Sequence, residues 1–152
     1  IPNRGVFVIG ISQEDIKDIY EIRILVEGLA AKWAANKINA EELKALSNSC
    51  ELMEFYTAKG DIEQIARYNT EFHEIIFEAA GSKFLKKTLR NMQSYIQWAR
   101  LASLKTEGRA QKALSEHKAI LEAFINGDSL QAQMLIIEHV TNSSKNILKI
   151  MD

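Results

Sequence analysis

Apolar residues return every three or four positions through nearly the whole of this chain, the 3.6-residue rhythm of helices that hide one face. The stripes stop at Gly60, Gly81, Gly108 and Gly127. Where they restart stand Ser12, Asn39, Asp61, Ser82 and Asp128, residue types whose side chains accept from the free amides of a first helical turn. The pattern predicts six helices, over 12–37, 39–60, 61–81, 82–106, 109–127 and 128–152. Short connections favour antiparallel neighbours, so the expected fold is an all-α antiparallel helical bundle.

The opening IPNRGVFVIG is different. Pro2, Asn3 and Gly5 form a turn signal, and Val6 to Ile9 is a short β-type run. A strand this short cannot make a sheet by itself. Residues 1–10 are therefore expected to be a remnant of another domain, and 11–152 a single helical domain. Pro2 is the only proline, so nothing after it forbids a helix.

Charge changes the picture by exclusion. Nineteen Lys and Arg against 20 Asp and Glu leave a net charge of −1, without the basic excess of a domain that grips nucleic acid on its own. A lone cysteine, Cys50, forms no internal disulfide and no zinc-cysteine cluster. No apolar run approaches the roughly 18 residues of a membrane span. A cytoplasmic protein that does not enter membranes is the expectation.

The histidines lie where leucines belong. Helix three carries the stripe Ile62, Ile65, Ala66, Asn69, His73, Ile76, Phe77 and Ala80. His117 falls between Leu114 and Ile120 on the stripe of helix five, and His139 between Ile136 and Ser143 on that of helix six. A buried imidazole needs a partner, and a single one is usually a satisfied core residue. Three on three helices admit a second reading, in which they converge with Asn69 on one cation. Three nitrogens and an oxygen suit Zn, Ni, Co or Fe better than Mg or Ca.

Two arginines also interrupt apolar stripes. Arg23 and Glu27 lie one turn apart on the inner face of helix one, and Arg100 follows Leu89, Met92 and Ile96 in helix four. They read equally as an internal ion pair with a packed rim arginine, or as a polar cavity that holds a carboxylate.

Enzyme motifs are missing. The residues three before the histidines are Thr70, Leu114 and Ile136, so the Glu-x-x-His of di-iron bundles is absent. There is no His-Glu-x-x-His, Gly-x-Ser-x-Gly or glycine-rich phosphate loop. A metal-dependent hydrolase or lyase would need a general base, and Glu74, Glu116 and Glu138 each sit about 100° round the helix from an adjacent histidine. A purely structural dimerisation module is the third possibility.

Several segments resemble the C-terminal effector domain, called FCD, of GntR-type bacterial transcription regulators of the FadR subfamily. They are YEIRILVEGLAAKWAA at 20–35, NTEFHEIIFEAAGSKFL at 69–85 and ALSEHKAILEAFINGDSLQAQMLIIEHV at 113–140, while NRGVFV at 3–8 is similar to the last wing strand of the family's winged-helix DNA reader. The resemblance implies a non-enzymatic domain that binds a divalent metal, zinc first among the candidates, through Asn69, His73, His117 and His139. It further implies that Arg23, with Arg100 as a second contact, anchors a small organic or sugar acid. The working state would be a homodimer that reaches DNA only through the missing N-terminal domain. The family pattern has Asp where this chain has Asn69, which keeps the oxygen donor and removes its charge.

Overall fold

A computed structural model describes residues 10–152 and folds them into seven helices. These are α1 Gln13–Lys37, α2 Ala40–Lys59, α3 Ile62–Ala80, α4 Lys83–Asn91, α5 Gln93–Leu104, α6 Arg109–Ile125 and α7 Ser129–Met151. The wing strand expected within the first ten residues falls outside those described, save for Gly10.

Helix starts follow the capping residues. The Ser12 hydroxyl accepts from the Asp15 amide while the Asp15 carboxylate accepts from the Ser12 amide, and Asn39 and Glu42 repeat this reciprocal box. Asp61, Ser82 and Asp128 accept from Gln64, Leu85 and Gln131. Each such cap contributes about 1 kcal/mol. Gly60 and Gly81 end α2 and α3 in the left-handed conformation, with φ of 69° and 72°.

The expected fourth helix is two helices. It breaks at Met92, whose amide bonds back to the Leu89 carbonyl three residues earlier while its ψ opens to 1°. No proline or glycine marks the spot. The elbow serves packing: α4 turns Leu85 and Leu89 toward α1 and α3, and α5 buries Ile96, Ala99 and Leu104 against α3, α6 and α7.

Helix α1 is the spine. It runs antiparallel to α7, with Gln13 bonded to Asp152 at one end and Tyr20 Oη 3.2 Å from Ser143 Oγ further along. The two helices pack tightly at Gly28, where an added Cβ would stand 2.9 Å from Ile137 Cγ1. Helix α3 lies on another side of α1 and parallel to it, since Glu27 meets His73 and Lys37 Nζ donates to the Ala80 carbonyl at 3.0 Å. Helix α6 packs against α2 and α7, and α5 spans α3 and α7. The core residues Ile16, Phe72, Ile76, Ile120, Phe124, Ile136 and Ile147 are almost fully buried. Through the middle of this apolar core passes a band of buried polar groups.

Candidate metal centre

Helices α3, α6 and α7 each bring one imidazole to that band. His73, His117 and His139 are all at most 4% exposed, and one nitrogen from each lies within 4.8 Å of the other two. Ring centroids are separated by 5.4 Å (His73 and His117), 5.2 Å (His73 and His139) and 4.5 Å (His117 and His139).

Every Nδ1 is already occupied. That of His73 is 3.0 Å from Glu27 Oε1, that of His117 is 2.6 Å from the Ala113 carbonyl, and that of His139 is 2.7 Å from Glu116 Oε1. With an oxygen acceptor at each Nδ1, the neutral rings carry their proton there and leave the Nε2 lone pairs free. The Nε2 atoms of His73 and His117 are 3.3 Å apart. Both are acceptors in this tautomer, so no proton joins them. Two nitrogens bound to one tetrahedral zinc at about 2.0–2.1 Å would stand roughly 3.3 Å apart.

The rings are neutral at physiological pH. Burial, reinforced by the Arg100 charge, lowers His73 to about 3. Burial lowers His139 to about 4 against the opposing bond from Glu116, and burial with the His139 charge takes His117 well below the ordinary imidazole value. Neutral imidazole is the metal-binding form.

Asn69 Oδ1 lies on the same helix as His73 and stands apart in its bonding. It is the one buried side-chain nitrogen or oxygen among the described residues without a hydrogen-bond partner. Such an orphan costs about 1–3 kcal/mol unless something binds it. One turn from His73 on the same buried face of α3, it is an oxygen that a cation could satisfy. The residues present therefore fit a transition-metal ion.

Behind two of the imidazoles, His73 and His139, stand carboxylates that orient them. Glu27 also pairs with Arg23 Nε, and the Arg23 charge with the His73 bond outweighs burial to hold its carboxyl far below the usual range. Glu116 receives both terminal nitrogens of Arg109, at 3.1 and 2.8 Å, and Asn142 Nδ2 at 2.7 Å. Against the opposing effect of burial, the His139 and Arg109 bonds hold Glu116 at about 2. Glu116 faces His139 across the helix pair and not its sequence neighbour His117, which is why adjacency concealed it. Arg109 and Glu116, two turns apart on one helix, were the available signal.

The two sequence-predicted arginines lie near each other and near the histidines. Arg23 is buried beneath the Tyr20 ring at 4.7 Å and is committed to Glu27. Arg100 is 7% exposed and donates to Thr70 Oγ1 at 2.7 Å, with no carboxylate in ion-pair range among the described residues. Burial and the Arg23 charge lower it to about 10, still fully charged at neutral pH. Arg100 borders a pocket of about 20 Å³ shared with His73, Glu27, Thr70 and the α4–α5 elbow.

Comparison with known proteins agrees with this architecture. Residues 18–142 match the family described as the FCD domain. The HTH-type transcriptional regulator YdhC of Bacillus subtilis is 25% identical over 149 residues, covering 97% of this chain and 66% of its own length. The gluconate operon transcriptional repressor of the same organism is 25% identical over 130 residues, covering 82% of this chain and 53% of its own length. The solved structure of Escherichia coli McbR/YncC superposes with a TM-score of 0.84 at 17% identity, over 93% of this chain and 68% of that one. The chain thus spans about half to two thirds of these relatives. It belongs to the FCD domain family, the effector-domain class of the GntR-type transcription regulators that its sequence resembles.

Proposed function

We propose that this chain is the sensing and dimerisation domain of a bacterial, cytoplasmic GntR-type regulator. In this reading Asn69, His73, His117 and His139 hold a divalent transition metal, zinc first and nickel, cobalt or iron also compatible. Arg100, with Arg23 behind it, holds a small organic or sugar acid beside that ion. One juxtaposition carries the reading: the buried guanidinium of Arg100, bonded to Thr70 with Glu27 and Glu74 around the same pocket but outside ion-pair range, beside the neutral imidazole cluster. An unpaired buried cation costs several kcal/mol, and a bidentate carboxylate is its natural complement. The metal, when bound, supplies a Lewis-acidic positive centre for a carboxylate oxygen. A relative named for a gluconate operon is in keeping with a sugar acid.

The pocket at Arg100 has room for about one water at about 20 Å³, so an acid enters only if its walls part. Leu89, Gln93, Ile96 and Gln97 of the α4–α5 elbow form one wall. An effector that binds the opened elbow better shifts the population toward it, and the elbow carries the signal. A winged helix outside this chain would read DNA. Glu27, which is buried, and Glu116, which is half-buried, are both taken up by imidazole and guanidinium donors, which favours a sensor over a hydrolase or lyase. Ile22 and Leu25 of α1 are 44% and 74% exposed, a face suited to a second copy.

The test is calorimetric titration of small carboxylates, gluconate among them, into zinc-loaded protein. Saturable binding that weakens at least tenfold in Arg100→Met, with zinc retained, is the expected result. An absence of binding across the panel, or an unaffected Arg100→Met, overturns the effector assignment.

A further inference from the structure

A second polar site opens on the outside of the bundle. Where the α5–α6 loop meets α7 lies a cleft of about 380 Å³, the size of a small-molecule site. Four basic side chains line it, Arg109, Lys112, Lys145 and Lys149, against one acidic residue, Glu107. In a chain of net charge −1 this is a local reversal of sign. The three lysines have no carboxylate in ion-pair range among the described residues. Lys145 and Lys149 stand one turn apart on α7, a like-charge spacing that helices disfavour. Such a concentration of cations in a concavity focuses a positive potential that a small anion relieves.

The floor of the cleft leads inward. Arg109 is 6% exposed, and two of its nitrogens hold Glu116. A guanidinium has five N–H donors, so the remaining ones are available to an anion in the cleft it lines. Asn142, which also lines the cleft, donates to the same Glu116. Glu116 in turn fixes Nδ1 of His139. A group bound outside thus shares its donors with the carboxylate that orients an imidazole inside, and such supporting partners tune a ligand's geometry and basicity.

We propose that this cleft binds a small, multiply charged oxyanion and that its occupancy is transmitted to His139 through Arg109, Asn142 and Glu116. The site is separate from the Arg100 pocket, which shares none of its lining residues. Neither the metal nor the carboxylate effector is needed for it.

The experiment is an NMR titration of the metal-free chain with inorganic phosphate at constant ionic strength. Saturable shifts in the low millimolar range are expected at Arg109 and Lys112 and at the His139 ring. Binding should weaken at least tenfold in K112E/K149E and stay unchanged in K44E, which removes an exposed lysine elsewhere on the surface. Lys112 and Lys149 are exposed, so the double variant leaves the core untouched. Linear shifts, or a K112E/K149E variant that titrates like the parent, overturn the site. Binding that vanishes in Arg100→Met places the anion in the interior and overturns it as well. Saturable binding with the His139 ring unmoved overturns the transmission.

Discussion

Glu116 Oε1 lies 2.7 Å from Nδ1 of His139, across the α6–α7 interface, while Arg109 donates to both oxygens of the carboxylate and Asn142 to Oε2. The arrangement fixes the tautomer of one imidazole and the direction of its free nitrogen. Replacing Glu116 with Gln keeps an acceptor for Arg109 and removes the charge behind His139. Zinc affinity should fall by about 10- to 100-fold, the usual cost of losing such a partner. A chelator-competition titration measures it, with circular dichroism confirming that the helices persist. Unaltered affinity would reduce Glu116 to a purely structural counter-ion for Arg109.

Asn69 separates the metal-free and metal-bound states most cleanly. Asn69→Asp puts a carboxylate where an orphan carbonyl now sits at 3% exposure. Without metal the buried charge destabilises; with zinc it pairs with the ion. The thermal shift between metal-free and zinc-loaded protein should therefore be larger in Asn69→Asp than in the parent. A shift of equal size in both would place residue 69 outside the coordination sphere.

Acid should unfold the metal-free protein early. His73 and His139 titrate at about 3 and about 4 when folded and near 6.5 when unfolded. The unfolded chain thus binds more protons throughout that interval. The stabilising contribution of the neutral rings is complete above pH 6.5 and is lost as pH falls toward 4 and then 3. Glu116, at about 2 when folded, adds a further loss below the ordinary carboxylate range. Denaturant midpoints measured from pH 7.5 to 4 should fall steadily once below 6.5. A flat profile down to pH 4.5 would contradict the buried neutral cluster.

The proposed dimer would be disrupted at the α1 face. Leu25, 74% exposed, lies one turn from Ile22 and Leu29 and on the side of α1 away from Arg23 and Glu27. Leu25→Glu should convert a dimer to a monomer in analytical ultracentrifugation while zinc binding stays intact. A variant that remains dimeric would move the interface to another face.

Much of this was legible before any coordinates. Spacing of three and four residues placed Asn69 and the three histidines on apolar faces, and all four are buried. The caps at Ser12, Asn39, Asp61, Ser82 and Asp128 stand at helix starts because their side chains satisfy amides only a few residues away. The bend at Met92 was not legible, because it arises from where α4 and α5 pack and no local residue demands it. Nor were the pairings of Glu27 with His73 and Glu116 with His139, which depend on how helices distant in sequence are rotated against each other. Periodicity names the inward face; it does not say which inward residues meet.

The metal reading stands on one observation, the meeting of His73, His117 and His139 nitrogens within 4.8 Å of one another. Elemental mass spectrometry of tag-free protein, purified without chelators, tests it most directly when run beside His139→Ala. About one zinc or similar ion per parent chain, and none in the folded variant, is the predicted result. A parent chain that stays metal-free after incubation with zinc and nickel, or a His139→Ala protein with full stoichiometry, would contradict it.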